Sequence, residues 1–230
     1  MGAFTYKELS VLYEDNHLLV VEKPVNIPMQ KDSSMDIDLL TLCKEYLKVT
    51  YQKPGNVYCG LVQRLDRPVG GVCVFAKTSK AASRLSSQMQ KNTFEKEYQA
   101  IVCGKIKTED TLIDYLYKDT KNNRVSVVSQ SNKQAKKAIL SYTRLSYQED
   151  YSLVKISLET GRSHQIRVQF SSRNFPLWGD QRYNKNAVVG QQIALWATKL
   201  TFEHPTTKET MSFGSQTPKT GIWQLFEGVL

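Results

Sequence analysis

Two short apolar runs open the chain, at residues 11–13 and 17–22, and the polar triplet Glu14-Asp15-Asn16 between them has the composition of a turn. That pattern predicts a β-hairpin. Between residues 36 and 51 the period changes. Ile37, Leu40, Cys43 and Leu47 recur every three or four positions, which puts them on one helical face, and Pro54-Gly55 closes the segment. Residues 71–76 return to strand character. Ser79 is a suitable N-cap for a helix reaching about residue 91, with Ala82, Leu85 and Met89 on its apolar face. A strand is expected over 96–103, then β-rich runs at 124–129, 138–147, 151–158 and 193–202, with one more helix over 164–172.

Strands dominate, helices interrupt them, and no regular β-α-β alternation is present. A doubly wound fold needs a helix between successive strands, so the order predicts an α+β fold: a mixed, mainly antiparallel central sheet flanked by helices. A single domain over residues 1–230 is expected. At 230 residues and 40% hydrophobic the chain can bury a substantial core. The apolar run at 18–21 is far too short to cross a bilayer, and the first 16 residues lack the apolar centre of a signal peptide. The expected setting is soluble and cytoplasmic.

Cysteines 43, 59, 73 and 103 form no Cys-x-x-Cys pair, and His17, His164 and His204 are scattered. Buried, reduced thiols are therefore expected, with neither disulfides nor a metal. The net charge of +9 is unevenly spread: residues 1–115 carry 15 Lys and Arg against 14 Asp and Glu, whereas residues 116–230 carry 16 against 8. Such a basic half is the footprint of a polyanion binder. Its densest stretch, 118–137, is expected to form an exposed hairpin or arm.

Two islands carry the chemistry. Gln63-Arg64-Leu65-Asp66-Arg67-Pro68 sets one carboxylate between two guanidinium groups in an otherwise apolar run, and nearby positive charge favours its anionic form. An ion-pair network pinning a turn would have the same composition. Almost a hundred residues later, Gly161-Arg162-Ser163-His164-Gln165-Ile166-Arg167 adds two cations and a cluster of hydrogen-bonding groups.

These strings, together with Ala76-Lys77-Thr78, Lys96-Glu97-Tyr98-Gln99-Ala100, the opening segment 13–24, the segment 177–183 and the late strand through His204-Pro205, resemble in order and spacing the RNA pseudouridine synthases of the RluA-type branch. The resemblance covers nearly the whole chain. It implies a mixed sheet with the active site in a central cleft, no cofactor, and a structured RNA as partner, a stem-loop of transfer or ribosomal RNA. It also implies that Asp66 is the essential carboxylate, that Arg167 pairs with it, and that Tyr98 stacks on the uracil, a contact worth roughly 1–3 kcal/mol. Arg64 corresponds to the arginine filling the space of the displaced nucleotide. Arg67, Arg162 and His164 are candidate RNA-binding residues, although His164 and Gln165 are also suited to holding backbone groups.

Asp66 could attack C1′ or C6, or remove the 2′ proton to give a glycal; each route uses the anion. Three positions depart from the family pattern: Gln63 and Gln169 stand where histidines are usual, and Val69-Gly70 where Thr-Ser is usual. They bear on the hydrogen bonds shaping the Asp66 loop, and Gly70 beside Gly71 is expected to loosen it. The chain begins almost at the catalytic pattern, so no separate N-terminal S4-type RNA-binding domain is expected, and the protein is expected to be a monomer. A catalytically impaired RNA-binding relative is the alternative reading. A hydrolase unrelated to this family would call for a second carboxylate or a metal cluster.

Overall fold

The structure is a computed structural model and describes residues 4–229. From the N-terminus, β1 (Ser10–Glu14) and β2 (Leu18–Lys23) form the predicted hairpin, closed by Asp15, whose carboxylate accepts from the His17 and Leu18 amides at 2.7 Å each. Helix α1 (Leu39–Thr50) starts later than its periodicity suggested because Asp38 caps it, accepting from the Thr41 amide at 3.0 Å. Ile37 thus precedes the helix and is exposed, and the buried face is Leu39, Leu42, Cys43 and Leu47. Next come β3 (Gly60–Leu61), β4 (Gly70–Ala76) and α2 (Ser79–Gln90). The cap of α2 is Thr78, one residue before the expected Ser79: its side chain accepts from the Ala81 amide at 3.1 Å.

The chain continues through β5 (Glu95–Cys103), β6 (Glu109–Asp119), β7 (Arg124–Val128), β8 (Lys136–Gln148) and β9 (Tyr151–Leu158), then α3 (Gln165–Ser171), β10 (Leu195–Glu203) and β11 (Thr210–Gly214). Short 3-10 turns occupy Tyr6–Glu8 and Gly221–Phe226. The α+β reading holds. Among the described residues the paired strands β1–β2, β2–β4, β3–β4, β5–β9, β9–β8, β8–β6, β6–β7 and β10–β11 are all antiparallel.

The chain forms two compact units, residues 1–94 with 199–215, and residues 95–198 with 216–230. In the first, β4 is buried along its whole length, as its unbroken apolar sequence requires, and pairs with β2. Leu18, Val20, Val72 and Val74 pack there with Ala81 and Leu85 of α2, with Phe94, and with Leu200 and Phe202 of β10. In the second unit the ladder runs β5-β9-β8-β6-β7, and α3 packs through Val168 against Leu116, Val125 and Ala138. Residues 118–137 do form a hairpin, β6 with β7, and its turn is exposed. All four cysteines are free thiols, three of them buried; burial pushes Cys59 and Cys73 up to about 12.

Candidate active site

In the first unit the Asp66 loop leaves β3 and enters β4. A tight turn closes it, the Val69 amide donating to the Asp66 carbonyl at 2.9 Å. Leu65 and Val69 are buried and anchor the loop on either side of Asp66, whose residue is half-buried. Beneath it lies a fully buried lysine. Lys23 Nζ donates to the carbonyls of Pro24 (3.0 Å), Arg67 (2.9 Å) and Val69 (2.7 Å), so the three N–H groups of an ammonium meet three acceptors, two of them in the loop. Burial pulls the Lys23 ammonium down to about 7, and the Asp66 carboxylate acts against that pull.

The two arginines beside Asp66 have different surroundings. Arg67 turns toward the 26–36 segment, where it donates to the Asn26 carbonyl (3.1 Å) and the Ser34 hydroxyl (2.9 Å) and pairs with Asp36. Its guanidinium shapes the loop from outside, and Lys23 is a cation of this unit that acts on Asp66 electrostatically. Arg64 is exposed and makes no hydrogen bond or ion pair among the described residues. Gly70 and Gly71, expected to loosen the loop, lie buried inside β4. Gly71 has φ +117 and sits opposite Lys23 in the ladder, a conformation that favours glycine. Gln63 donates to the Val72 carbonyl at 3.3 Å, while its buried Oε1 has no partner.

In the second unit, α3 carries Arg167 into the interior. The guanidinium meets Asp180 in a two-pronged pair, Nε to Oδ2 at 2.8 Å and Nη2 to Oδ1 at 2.7 Å, with both side chains buried. Asp180 reaches that place through a turn only glycine permits: Gly179 has φ +71, and a Cβ there would lie 2.6 Å from the Gln192 carbonyl oxygen. The ring of Tyr183 lies 5.2 Å from the Arg167 guanidinium carbon. Its hydroxyl accepts from the Val125 amide at 2.9 Å and bonds His164 Nδ1 at 2.7 Å. His164 itself adopts φ +51 just before α3, and Gln165 holds Thr160 and the Arg162 amide through its Oε1, both at 2.9 Å.

Tyr98 lies on β5, buried, opposite Ile156. Gln169 is fully buried; its amide nitrogen donates to Asp114 (2.7 Å) and to the Leu112 carbonyl (3.2 Å), and its Oε1, like that of Gln63, is unpartnered. Within the first unit Asp66, Arg64 and Arg67 share one loop, and within the second Arg162, His164 and Arg167 share one segment. Sequence reading gave no role to Lys23, Asp180 or Tyr183. A lysine ending the run Leu18-Leu19-Val20-Val21 was the one signal available for the first, since so apolar a strand carries its lysine inward. Among the described residues no group of three or more His, Cys, Asp or Glu could hold a metal, and no helix is long and apolar enough to cross a membrane.

This mainly antiparallel α+β architecture places the protein in the pseudouridine synthase fold class. Human RNA pseudouridylate synthase domain-containing protein 4 superposes with a TM-score of 0.76 over 91% of this chain and 89% of that one, at 20% identity; the human domain-containing protein 1 gives 0.74 over 100% and 97%, also at 20%. The chain belongs to the RNA pseudouridylate synthase family, whose model matches residues 17–172. It is 35% identical over 210 residues to YhcT, an uncharacterised RNA pseudouridine synthase of Bacillus subtilis, covering 89% of this chain and 67% of the relative. It is 30% identical over 234 residues to the ribosomal large subunit pseudouridine synthase D of Pseudomonas aeruginosa, covering 95% and 71%. The protein is thus an isomerase of uridine in RNA.

Proposed function

We propose that this chain converts uridines of ribosomal RNA to pseudouridine in the cytoplasm, with Asp66 as the essential carboxylate and Arg167 as the cation paired with it during the reaction. The relatives named for the large ribosomal subunit support ribosomal over transfer RNA. The observation that carries the residue assignment is the loop itself: a half-buried carboxylate on a tight turn whose flanking carbonyls are clamped from below by Lys23. A carboxylate so fixed is pre-organised to meet one reacting atom.

The N1–C1′ bond breaks, C5 bonds to C1′, and the proton leaving C5 is balanced by one gained at N1. Asp66 starts this as an anion, at C1′, at C6 or on the 2′ proton. Tyr98 supplies a face for the detached uracil. Arg64, exposed and with no ion pair among the described residues, fills the space of the extruded nucleotide, whose unstacking costs a few kcal/mol. Arg162 and His164 contact the RNA, and Arg67 holds the loop.

The test is release of tritium from unmodified ribosomal RNA labelled at uridine C5. Wild-type protein releases label and Asp66→Asn does not, while binding the RNA equally well. Equal binding with no release by either protein would favour the catalytically impaired relative instead.

A further inference from the structure

Lys96 is a buried cation that nothing in the reaction above uses. It lies on β5 with 7% of its surface exposed, and among the described residues no carboxylate, hydroxyl or carbonyl takes a hydrogen bond from its Nζ. Its neighbour Glu97 points to the other face of the strand, where it pairs with Lys155 at 2.6 Å. The charge that acts on it is another cation. Arg162 acts on it electrostatically, and Nζ stands 3.5 Å from where a Cβ at Gly161 would be. Arg162 is fixed in turn, its Nε donating to the Lys137 carbonyl at 2.9 Å and its amide to Gln165, with its terminal nitrogens unpartnered among the described residues.

A buried, unpaired ammonium beside a guanidinium is unfavourable in the isolated protein. Burial, and then Arg162, hold Lys96 below the ordinary lysine value. The arrangement makes physical sense when an anion completes it. We propose that Lys96 and Arg162, over the small backbone of Gly161, form a phosphate-binding site for the RNA backbone next to the reacting uridine. Lys96 and Tyr98 are two apart on one strand and so share a face about 7 Å apart. A cation for the phosphate and an aromatic face for the base then lie along one strand, at the scale of one nucleotide. The inference rests on the RNA reading above, and it adds a residue and the chemical group that residue takes.

The probes are uridine, uridine 3′,5′-bisphosphate and inorganic phosphate, titrated against wild-type protein and Lys96→Met, which keeps the length of the side chain. Wild type should prefer the bisphosphate to uridine by about 10- to 100-fold, the equivalent of one charge-assisted hydrogen bond, and Lys96→Met should lose most of that preference. The same variant, relieved of an unpaired charge, should melt about 2–4 °C higher than wild type in the absence of ligand. An unchanged preference in Lys96→Met would overturn the proposal, and so would a lower melting temperature, which would make Lys96 a packing element. Inorganic phosphate binding as tightly as the bisphosphate would overturn its assignment to RNA. If tritium release fails while the bisphosphate preference depends on Lys96, the anion site stands and the enzymatic reading falls.

Discussion

Lys23→Met separates the two consequences of the buried clamp. The substitution keeps the apolar stem and removes three N–H donors, leaving the Pro24, Arg67 and Val69 carbonyls short of a partner at about 1–3 kcal/mol each. It also removes a charge that the fold holds at a disadvantage. The fall of the ammonium from its ordinary 10.5 to about 7 corresponds to about 5 kcal/mol against the charged form. Near pH 7 these contributions almost cancel, so the variant should melt close to wild type. Between about pH 7 and 10.5 the unfolded lysine binds more protons than the folded one, so wild-type stability gains with rising pH relative to the variant. The gain is about 1.4 kcal/mol per pH unit, so from pH 7 to pH 9 the variant should fall behind by about 2–3 kcal/mol, or about 5–10 °C in Tm for a chain of this length. Turnover behaves differently. The loop loses its clamp at every pH, and kcat at pH 7 should drop about 10- to 100-fold with RNA affinity retained. Thermal melts of both proteins from pH 6.5 to 9.5 and tritium-release kinetics at pH 7 supply the numbers. Melting curves that stay parallel across that range, or an unaltered kcat, would refute the reasoning.

Asp180→Asn should lower stability by about 1–3 kcal/mol, because it takes the negative charge out of the buried two-pronged pair with the Arg167 guanidinium; a denaturant titration would show a lower midpoint, and tritium release should fall with it. Gly179→Ala meets both a left-handed backbone and a carbonyl oxygen 2.6 Å from the new methyl, so a loss of about 2–4 kcal/mol is expected by the same titration, with Asp180 displaced in a structure of the variant.

Most elements were legible because their period was undisturbed. β9 was expected at residues 151–158 and occupies Tyr151–Leu158, its buried positions fixed by alternation. β6 was missed. Only Leu112 and Leu116 of its 11 residues are buried, four apart among acids and tyrosines, and such spacing carries no strand signal. β11 was missed for a related reason, since its five residues bury none. At the site, the motifs pointed to the right segments, whereas the direction of each side chain was not readable. The charge beside Asp66 in sequence, Arg67, turns to Asp36, while Lys23, more than forty positions earlier, reaches the loop through the pairing of β2 with β4. Local spacing reports neighbours along the chain. Register across a sheet decides which of them meet.

The first unit is assembled from two stretches far apart in sequence, residues 1–94 and 199–215. Its interior needs Leu200 and Phe202, and His204 bonds Asp15 at 2.9 Å across 189 positions of sequence. A ribosome making this protein therefore releases the Asp66 segment long before the residues that complete its surroundings exist. Until synthesis passes residue 202, Phe94 lacks Phe202, the ring it stacks on at 5.0 Å, and the cluster around β4 and α2 lacks Leu200. A chain stopped short of residue 199 would carry the whole carboxylate motif on a unit missing part of its interior.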